Sequence, residues 1–359
     1  MAQHGLAALL LTTEPEVRYF TGYLTRFWES PTRPWFLIVP ASGEPVAVIP
    51  SIGASLMARA GVTDIRTWSA PDLADDGVTL LAETLMELVP AGERIGVPDG
   101  HETHLRMPLA DFERLRDLLP TRPLTGDAGI LRQLRMVKSE TEIAKIEQAC
   151  DIAGRAFARV PEIAREGVPL EDVFRRFQML CLEEGADWVP YLAGGAGHGG
   201  YEDVISPASP RALARGDVLM LDTGLVWDGY FCDFDRNWSI GPPSSEAREV
   251  HGLLIDATHA AFEIAAPGRL ASELHSAMSE VLGGETGAGR LGHGLGMSLT
   301  EWPSLIPSDK TVLEPGMVLT LEPGLDTSGG ILVHEENIVI TATGARYLSP
   351  VAPREVSVL

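Results

Sequence analysis

Cysteine is scarce. There are three in 359 residues, Cys150, Cys181 and Cys232, widely spaced and without a Cys-x-x-Cys pair. This spacing speaks against a disulfide framework and a zinc ribbon, and it fits a reducing cytoplasm. Basic residues are also few, 28 Lys and Arg against 50 Asp and Glu, for a formal net charge of −22. A chain of that sign repels phosphate backbones and anionic lipid surfaces, so neither nucleic acid nor membrane is an expected partner. Long apolar runs are missing: none reaches the roughly 18–20 residues that a bilayer-spanning helix needs. The start, Met1-Ala2-Gln3-His4-Gly5, has no basic stretch ahead of its short apolar segment Leu6 to Leu11, unlike a signal peptide. Low-complexity tracts and repeats are absent. A cytoplasmic protein is the expectation.

What is present is ordinary globular material, 45% hydrophobic and 22% charged. The length exceeds what one compact core usually holds, so two domains are expected. In the first third, short apolar strands at Leu6–Leu11, Trp35–Val39, Val46–Ile49 and Arg94–Val97 alternate with a helical pattern over Leu73–Leu88. That alternation predicts an α/β domain. The character changes near residue 135. Ser139-Glu140-Thr141-Glu142 has capping-box spacing and opens a helix expected to run to about Arg165, with Ile143, Ile146, Ala149, Ile152 and Ala153 on one face. Further helices are expected at Leu170–Glu184, Ser245 to about Ala265, and Leu270–Leu282. The domains are therefore drawn at 1–134 and 135–359.

The segment Val218 to Ile240 carries the chemistry. Asp228-Gly229 is a strong two-residue hairpin turn, because both turn positions favour positive φ. The turn pairs Trp227 with Tyr230, so Asp222 opposes Asp235 and Gly224 opposes Asp233. Side chains alternate along a strand, which puts Asp222, Asp233 and Asp235 on one face. Three carboxylates so close repel one another unless a cation offsets them, and their oxygens are hard donors for Mn²⁺, Zn²⁺, Co²⁺ or Fe²⁺. Two simpler readings stay open: a solvated outer face, and a salt bridge to Arg236. The first sits poorly with Leu221, Phe231, Phe234 and Trp238 nearby.

Three more segments add donors. Gly292-His293-Gly294-Leu295-Gly296 sets an imidazole among glycines. Val318 to Leu321 is an apolar strand ending on Glu322, stopped by Pro323-Gly324. Ile331–Thr341 places His334, Glu335 and Glu336 in another apolar strand. An ionised carboxylate in such a strand costs several kcal/mol unless it is paired or metal-bound.

This pattern resembles the pita-bread metalloenzyme family, which includes prolidase, aminopeptidase P, methionine aminopeptidase and creatinase. The matching positions are Asp222 in Asp222-Thr223-Gly224, Asp233 eleven residues on, His293 in its His-Gly-x-Gly segment, Glu322 in Glu322-Pro323-Gly324, and Glu335. Counting back from Thr341 selects Glu335 over Glu336. Tyr19-Phe20-Thr21-Gly22-Tyr23 and Arg135-Met136-Val137-Lys138-Ser139-Glu140 look like the creatinase and prolidase branch. The resemblance implies a creatinase-type α/β N-terminal domain followed by an α+β pita-bread catalytic domain. It also implies two divalent ions (Mn, Co, Zn or Fe) held by Asp222, Asp233, His293, Glu322 and Glu335, with Asp235 as a possible extra ligand. Those ions would activate water for amide hydrolysis, with Glu322 as proton carrier and His293 beside it. A homodimer is implied too, since in creatinase-like relatives the N-terminal domain reaches a neighbour's site.

The chain departs from the peptidase branches at two substrate-holding histidines. Thr300 stands at one, and the other falls near Ile205-Ser206. His334, or His198 and Tyr201 if their loop folds back, are the candidate replacements. The aromatic, basic stretch Arg26 to Trp35, with Trp28 and Arg33, is a second candidate for recognising a short peptide or small molecule. Three functions follow: an Xaa-Pro peptidase; a non-peptidase relative acting on a small amide, amidine or charged metabolite; and a non-catalytic interaction module.

Overall fold

The structure, a computed structural model, describes residues 1–30, 33–284 and 289–359. The described residues form two compact units, Met1–Leu134 and Arg135–Leu359.

The first unit is built from β1 (Leu6–Leu11), α1 (Glu14–Thr21), β2 (Phe36–Pro40), β3 (Val46–Pro50), α2 (Ala54–Arg59), β4 (Asp64–Trp68), α3 (Val78–Leu88), β5 (Arg94–Val97), α4 (Leu109–Leu118) and β6 (Leu124–Gly126). Its mixed sheet has the order β4-β3-β2-β1-β5-β6. Strand β1 is apolar throughout because both its faces are covered. Ala8 and Leu10 join Leu81, Leu85 and Leu115 in one core. Leu9 and Leu11 meet Val17, Trp35 and Met57 in another. The helix expected over Leu73–Leu88 begins only at Val78. Gly77 has φ 88, Leu73 is fully exposed, and the Asp75 carboxylate accepts the Thr79 N–H at 3.1 Å. Helices α1, α2 and α4 and strands β4 and β6 are each ten residues or fewer, too short for a sequence period to show.

Helix α5 (Ile130–Met136) runs across the division between the units. The second unit continues with α6 (Glu140–Ala158), α7 (Leu170–Glu183), β7 (Trp188–His198), β8 (Asp217–Trp227), β9 (Tyr230–Phe231), β10 (Phe234–Ser239), α8 (Ser245–Ile264) and α9 (Ala271–Val281). The short strands β11 (His293–Gly294), β12 (Glu301–Ser304), β13 (Val318–Leu321), β14 (Gly324–Thr327), β15 (Gly330–Val333), β16 (Glu336–Ile340), β17 (Ala345–Tyr347) and β18 (Ser357–Val358) complete it. The capping box forms: Ser139 N–H donates to Glu142 at 2.8 Å and Glu142 N–H to Ser139 Oγ at 3.4 Å. The helix ends at Ala158 rather than near Arg165, because Pro161 stops it and a single 3₁₀ turn follows at Val160–Glu162.

One sheet runs β18-β10-β8-β7, and another runs β12-β11-β13-β16-β17. Helices α6 and α7 cover one face of the first. Phe157 of α6 lies 4.9 Å from Phe177, 5.1 Å from Phe234 and 5.9 Å from Trp238, ring to ring. Along β8 the period of two sorts the side chains. Leu219 and Leu221 enter the core under α6 and α7, while Val218 and Met220 pack with Leu254 of α8. Asp222 shares the face of Val218 and Met220. No helix among the described residues is long and apolar enough to cross a membrane.

Candidate metal centre

The hairpin forms in the register that the turn demands. Asp228 and Gly229 have φ 44 and 78, and Asp235 pairs with Asp222. Asp222, Asp233 and Asp235 line one cavity of about 360 Å³, together with His293, Glu322 and Glu335. Three hairpin carboxylates thus meet donors from three other segments: His293 in β11, Glu322 just after β13 and Glu335 just before β16. Asp233 and Asp235 are buried, which removes the solvated-face reading. Arg236 turns away from the cavity and pairs with Glu336 at 2.9 Å, so no simple salt bridge explains these aspartates.

Each donor is held by its backbone. The glycine at 292 is required: φ is 144, and a Cβ there would lie 2.3 Å from the Thr320 carbonyl oxygen. That close approach lets His293 N–H donate to Thr320 Oγ1 at 3.0 Å. Nδ1 of His293 lies 2.8 Å from the Gly294 carbonyl oxygen. An N–H on Nδ1 leaves the Nε2 lone pair for the cavity. Nε2 is 3.5 Å from Asp233 and 3.9 Å from Glu322. One ligand atom each from Asp233, His293 and Glu335 lie within 4.8 Å of one another. Asn337 fixes Asp233, accepting its N–H at 2.9 Å and donating to its carbonyl.

Burial is the main cause of the electrostatics. It pushes Asp222 up to about 8, helped by the charge of Asp235. Asp233 and Glu335 lie well above the usual carboxylate range through burial and the carboxylates around them. Glu322 is pushed up to about 7 by burial, against the pull of Arg290. Burial, with Arg290 adding, pulls His293 down to about 4, so its imidazole is neutral at neutral pH. One oxygen of Asp222 and one of Glu335 are buried without a hydrogen-bond partner. Orphaned carboxylate oxygens facing a neutral imidazole nitrogen fit a divalent cation, which would favour the ionised forms and fill their empty valences.

Glu335 and its neighbours take separate paths. Glu335 lines the cavity, whereas Glu336 accepts the Ala352 N–H at 2.7 Å and pairs with Arg236. Asp235, the extra candidate, has both oxygens engaged. It accepts the Glu335 N–H at 2.6 Å and the Asn237 amide at 3.0 Å, with His334 Nδ1 at 3.4 Å. It therefore orients Glu335. His334 is sealed between Asp235 and Glu336 and does not line this cavity, so the expected substrate imidazole is not placed there.

The other expected recognition residues divide. Thr300 lines the cavity, and so does Ile205. His198, at the exposed end of β7, does not. The loop does fold back, but Tyr201 is buried behind the wall, where its hydroxyl accepts the Val333 N–H at 2.6 Å. In the first unit Trp28 is buried against Tyr23 and Trp35, and Arg33 lies 4.8 Å over the Phe27 ring. Both are packing contacts of that unit, and Pro31 and Thr32 of the same stretch lie outside the described residues. Tyr191, Arg290 and Leu299 line the cavity without having been anticipated. Tyr191 donates to Asp222 at 3.1 Å, a contact set by the β7–β8 register and carrying no local motif. Arg290 stands three residues before His293, close enough to the glycine-rich segment to have drawn notice.

Comparison with known proteins agrees with this geometry. Residues 144–342 match the model of metallopeptidase family M24, and residues 1–137 match the creatinase/prolidase N-terminal domain. A probable dipeptidase PepE of Mycobacterium bovis is 31% identical over 96% of this chain and 90% of its own length. An Xaa-Pro dipeptidase of Pyrococcus horikoshii is 32% identical over 68% of this chain and 71% of its own length. The crystal structure of a prolidase from Thermococcus sibiricus superimposes with a TM-score of 0.87 at 25% identity, covering 100% of this chain and 96% of that one. The α/β N-terminal domain and the α+β pita-bread domain are therefore the architecture present. The chain belongs to metallopeptidase family M24 and is a metal-dependent hydrolase.

Proposed function

We propose that this protein is a dinuclear hydrolase of the Xaa-Pro peptidase type, cleaving a C–N amide bond in a short peptide. Asp222, Asp233, His293, Glu322 and Glu335 would hold two divalent ions, and the residues 135–359 would contain the whole metal site. The observation that carries this reading is the convergence of these five side chains on one cavity, with buried, unpartnered oxygens on Asp222 and Glu335. When bound, the ions supply Lewis-acid polarisation of the amide and a water acidic enough to attack it.

The chain's own residues do the rest. Asp235 and Asn337 hold Glu335 and Asp233 in place through backbone hydrogen bonds. Tyr191 orients the Asp222 carboxylate. Glu322, partly open to the cavity, carries the proton from the attacking water to the leaving nitrogen. Relatives named Xaa-Pro dipeptidase and probable dipeptidase support peptide cleavage.

One observation favours a second reading, a non-peptidase hydrolase of a small or cyclic amide. Ile205 and Thr300 line the cavity where the peptidase branches of the family resemblance hold histidines. An interaction module without catalysis is disfavoured by the complete ligand set. A homodimer is part of the same reading, and analytical ultracentrifugation tests it.

The deciding experiment measures metal content per chain in protein purified without chelator, then hydrolysis of Xaa-Pro dipeptides against small cyclic amides. About two ions per chain, lost together with activity in Asp233→Ala, is the expected result. Full activity in that variant would refute the metal reading.

A further inference from the structure

A second cavity, of about 230 Å³, lies behind the metal cavity. His334 lines it and stands 3.4 Å from Asp235, which lines the metal cavity. Its walls come from the end of α6, from β10, from α8 and from the segment Pro350 to Ser357. That segment lies close on α6 because residue 154 is glycine. A Cβ there would sit 2.6 Å from the Pro350 ring and push the wall away. Phe157 and Trp238, with ring centroids 5.9 Å apart, supply an aromatic surface inside.

Two polar side chains of the lining keep an open valence. His251 is only 4% exposed. Its Nδ1 lies 3.0 Å from the Arg354 carbonyl oxygen, a contact that places the ring proton on Nδ1. Burial holds its pKa below the ordinary value, so the ring is neutral at neutral pH and Nε2 carries a lone pair. Among the described residues nothing hydrogen-bonds to that Nε2. Glu355, exposed at the mouth, makes no hydrogen bond or salt bridge among the described residues. Arg236 also lines the cavity, but its two Nη atoms are spent on Glu336 and on the carbonyls of Asp235, Glu335 and Pro350. The valences left open at His251 and Glu355 are both acceptors, so they select a ligand that donates. The carboxylate favours a donor with positive charge. The net charge of −22 draws such a ligand towards the protein from a distance.

We propose that this cavity is a second binding site, taking a small protonated amine with an apolar body. The ammonium would sit between His251 Nε2 and Glu355, and the apolar body would lie against Phe157 and Trp238. The volume is below the roughly 300 Å³ at which drug-sized pockets begin, which limits the occupant to a small molecule. The site is one for binding, distinct from the metal cavity and independent of the reaction run there.

The test is calorimetric titration of the manganese-loaded protein with benzylamine, protonated at neutral pH, and with benzyl alcohol, its neutral counterpart. Loading with metal keeps the acidic metal cavity from competing for the amine. The amine is expected to bind wild type at least about 5-fold tighter than the alcohol. Glu355→Gln, at an exposed position, should weaken amine binding by about 5-fold and leave the alcohol unchanged. His251→Phe, which keeps a ring but removes the acceptor, should weaken the amine by about 10-fold. Ala158→Trp, which fills the cavity from the exposed end of α6, should abolish binding of both probes. Amine affinity equal in wild type and Glu355→Gln would overturn the proposal. So would a wild type that binds neither probe or prefers neither, and so would amine binding that survives Ala158→Trp.

Discussion

Metal uptake by the chelated protein should release protons, and the number follows from the buried carboxylates. With Asp222 pushed up to about 8 and Glu322 to about 7, the two are together about 1.4-fold protonated at pH 7. Asp233 and Glu335, held above the usual range, add to this up to a ceiling of about four, one per carboxylate. At pH 9 the share from Asp222 and Glu322 falls to about 0.1. Titration calorimetry with Mn²⁺ in buffers of different ionisation enthalpy reads the proton count directly. The same shifts make a stability prediction. A carboxylate whose folded pKa is raised stabilises the fold fully below its unfolded pKa, and that contribution is lost as pH rises through the folded value. The chelated protein should therefore lose thermal stability between about pH 4.5 and pH 8, and metal should restore it most at the alkaline end. Release of fewer than about 0.5 protons at pH 7, with no change by pH 9, would refute the claim that burial governs these groups.

Three substitutions test other parts of the site. Asp235→Ala removes the acceptor of the Glu335 N–H, and metal affinity should fall by roughly 10- to 100-fold in competition with a chelating dye, with the fold retained. Glu301 is opposed by burial, but Arg135 and Lys138 outweigh it and hold the carboxyl down at about 2. Breaking that buried cluster with Glu301→Gln should cost on the order of 3 kcal/mol at pH 7 by denaturant titration. Because a depressed pKa contributes above the unfolded value and is lost towards the folded one, the gap should narrow as pH falls from about 4.5 towards 2. Thr300→His should raise kcat/KM on Xaa-Pro dipeptides, since position 300 lines the cavity; an unchanged rate would count against its facing the substrate.

Local rules account for much of what could be read before the fold was known. The Asp228-Gly229 turn sets the hairpin register by itself, because few other dipeptides take positive φ twice. Strand alternation then puts three aspartates on one face. Ser139 and Glu142 mark the helix at the unit boundary through neighbouring hydrogen bonds. The proposed ligand order Asp222, Asp233, His293, Glu322, Glu335 is legible because each of these residues sits in a segment whose apolar or glycine-rich context makes it costly or unusual. Long-range pairing decided the rest. Tyr191 meets Asp222 only because β7 pairs with β8, and Arg290 meets Thr300 only because their segments converge on one cavity. His334 and Tyr201 look available in the sequence, yet burial consumes both, one between two carboxylates and one against Val333. Trp28 is likewise spent on the core of its own unit. Sequence alone determined which residues would be costly to bury without a cation, since that depends on chemical type and near neighbours. Only the tertiary structure decided which donors keep a free valence towards the cavity, because hydrogen bonds from distant strands saturate Asp235 and Glu336 and leave Asp222 and Glu335 open.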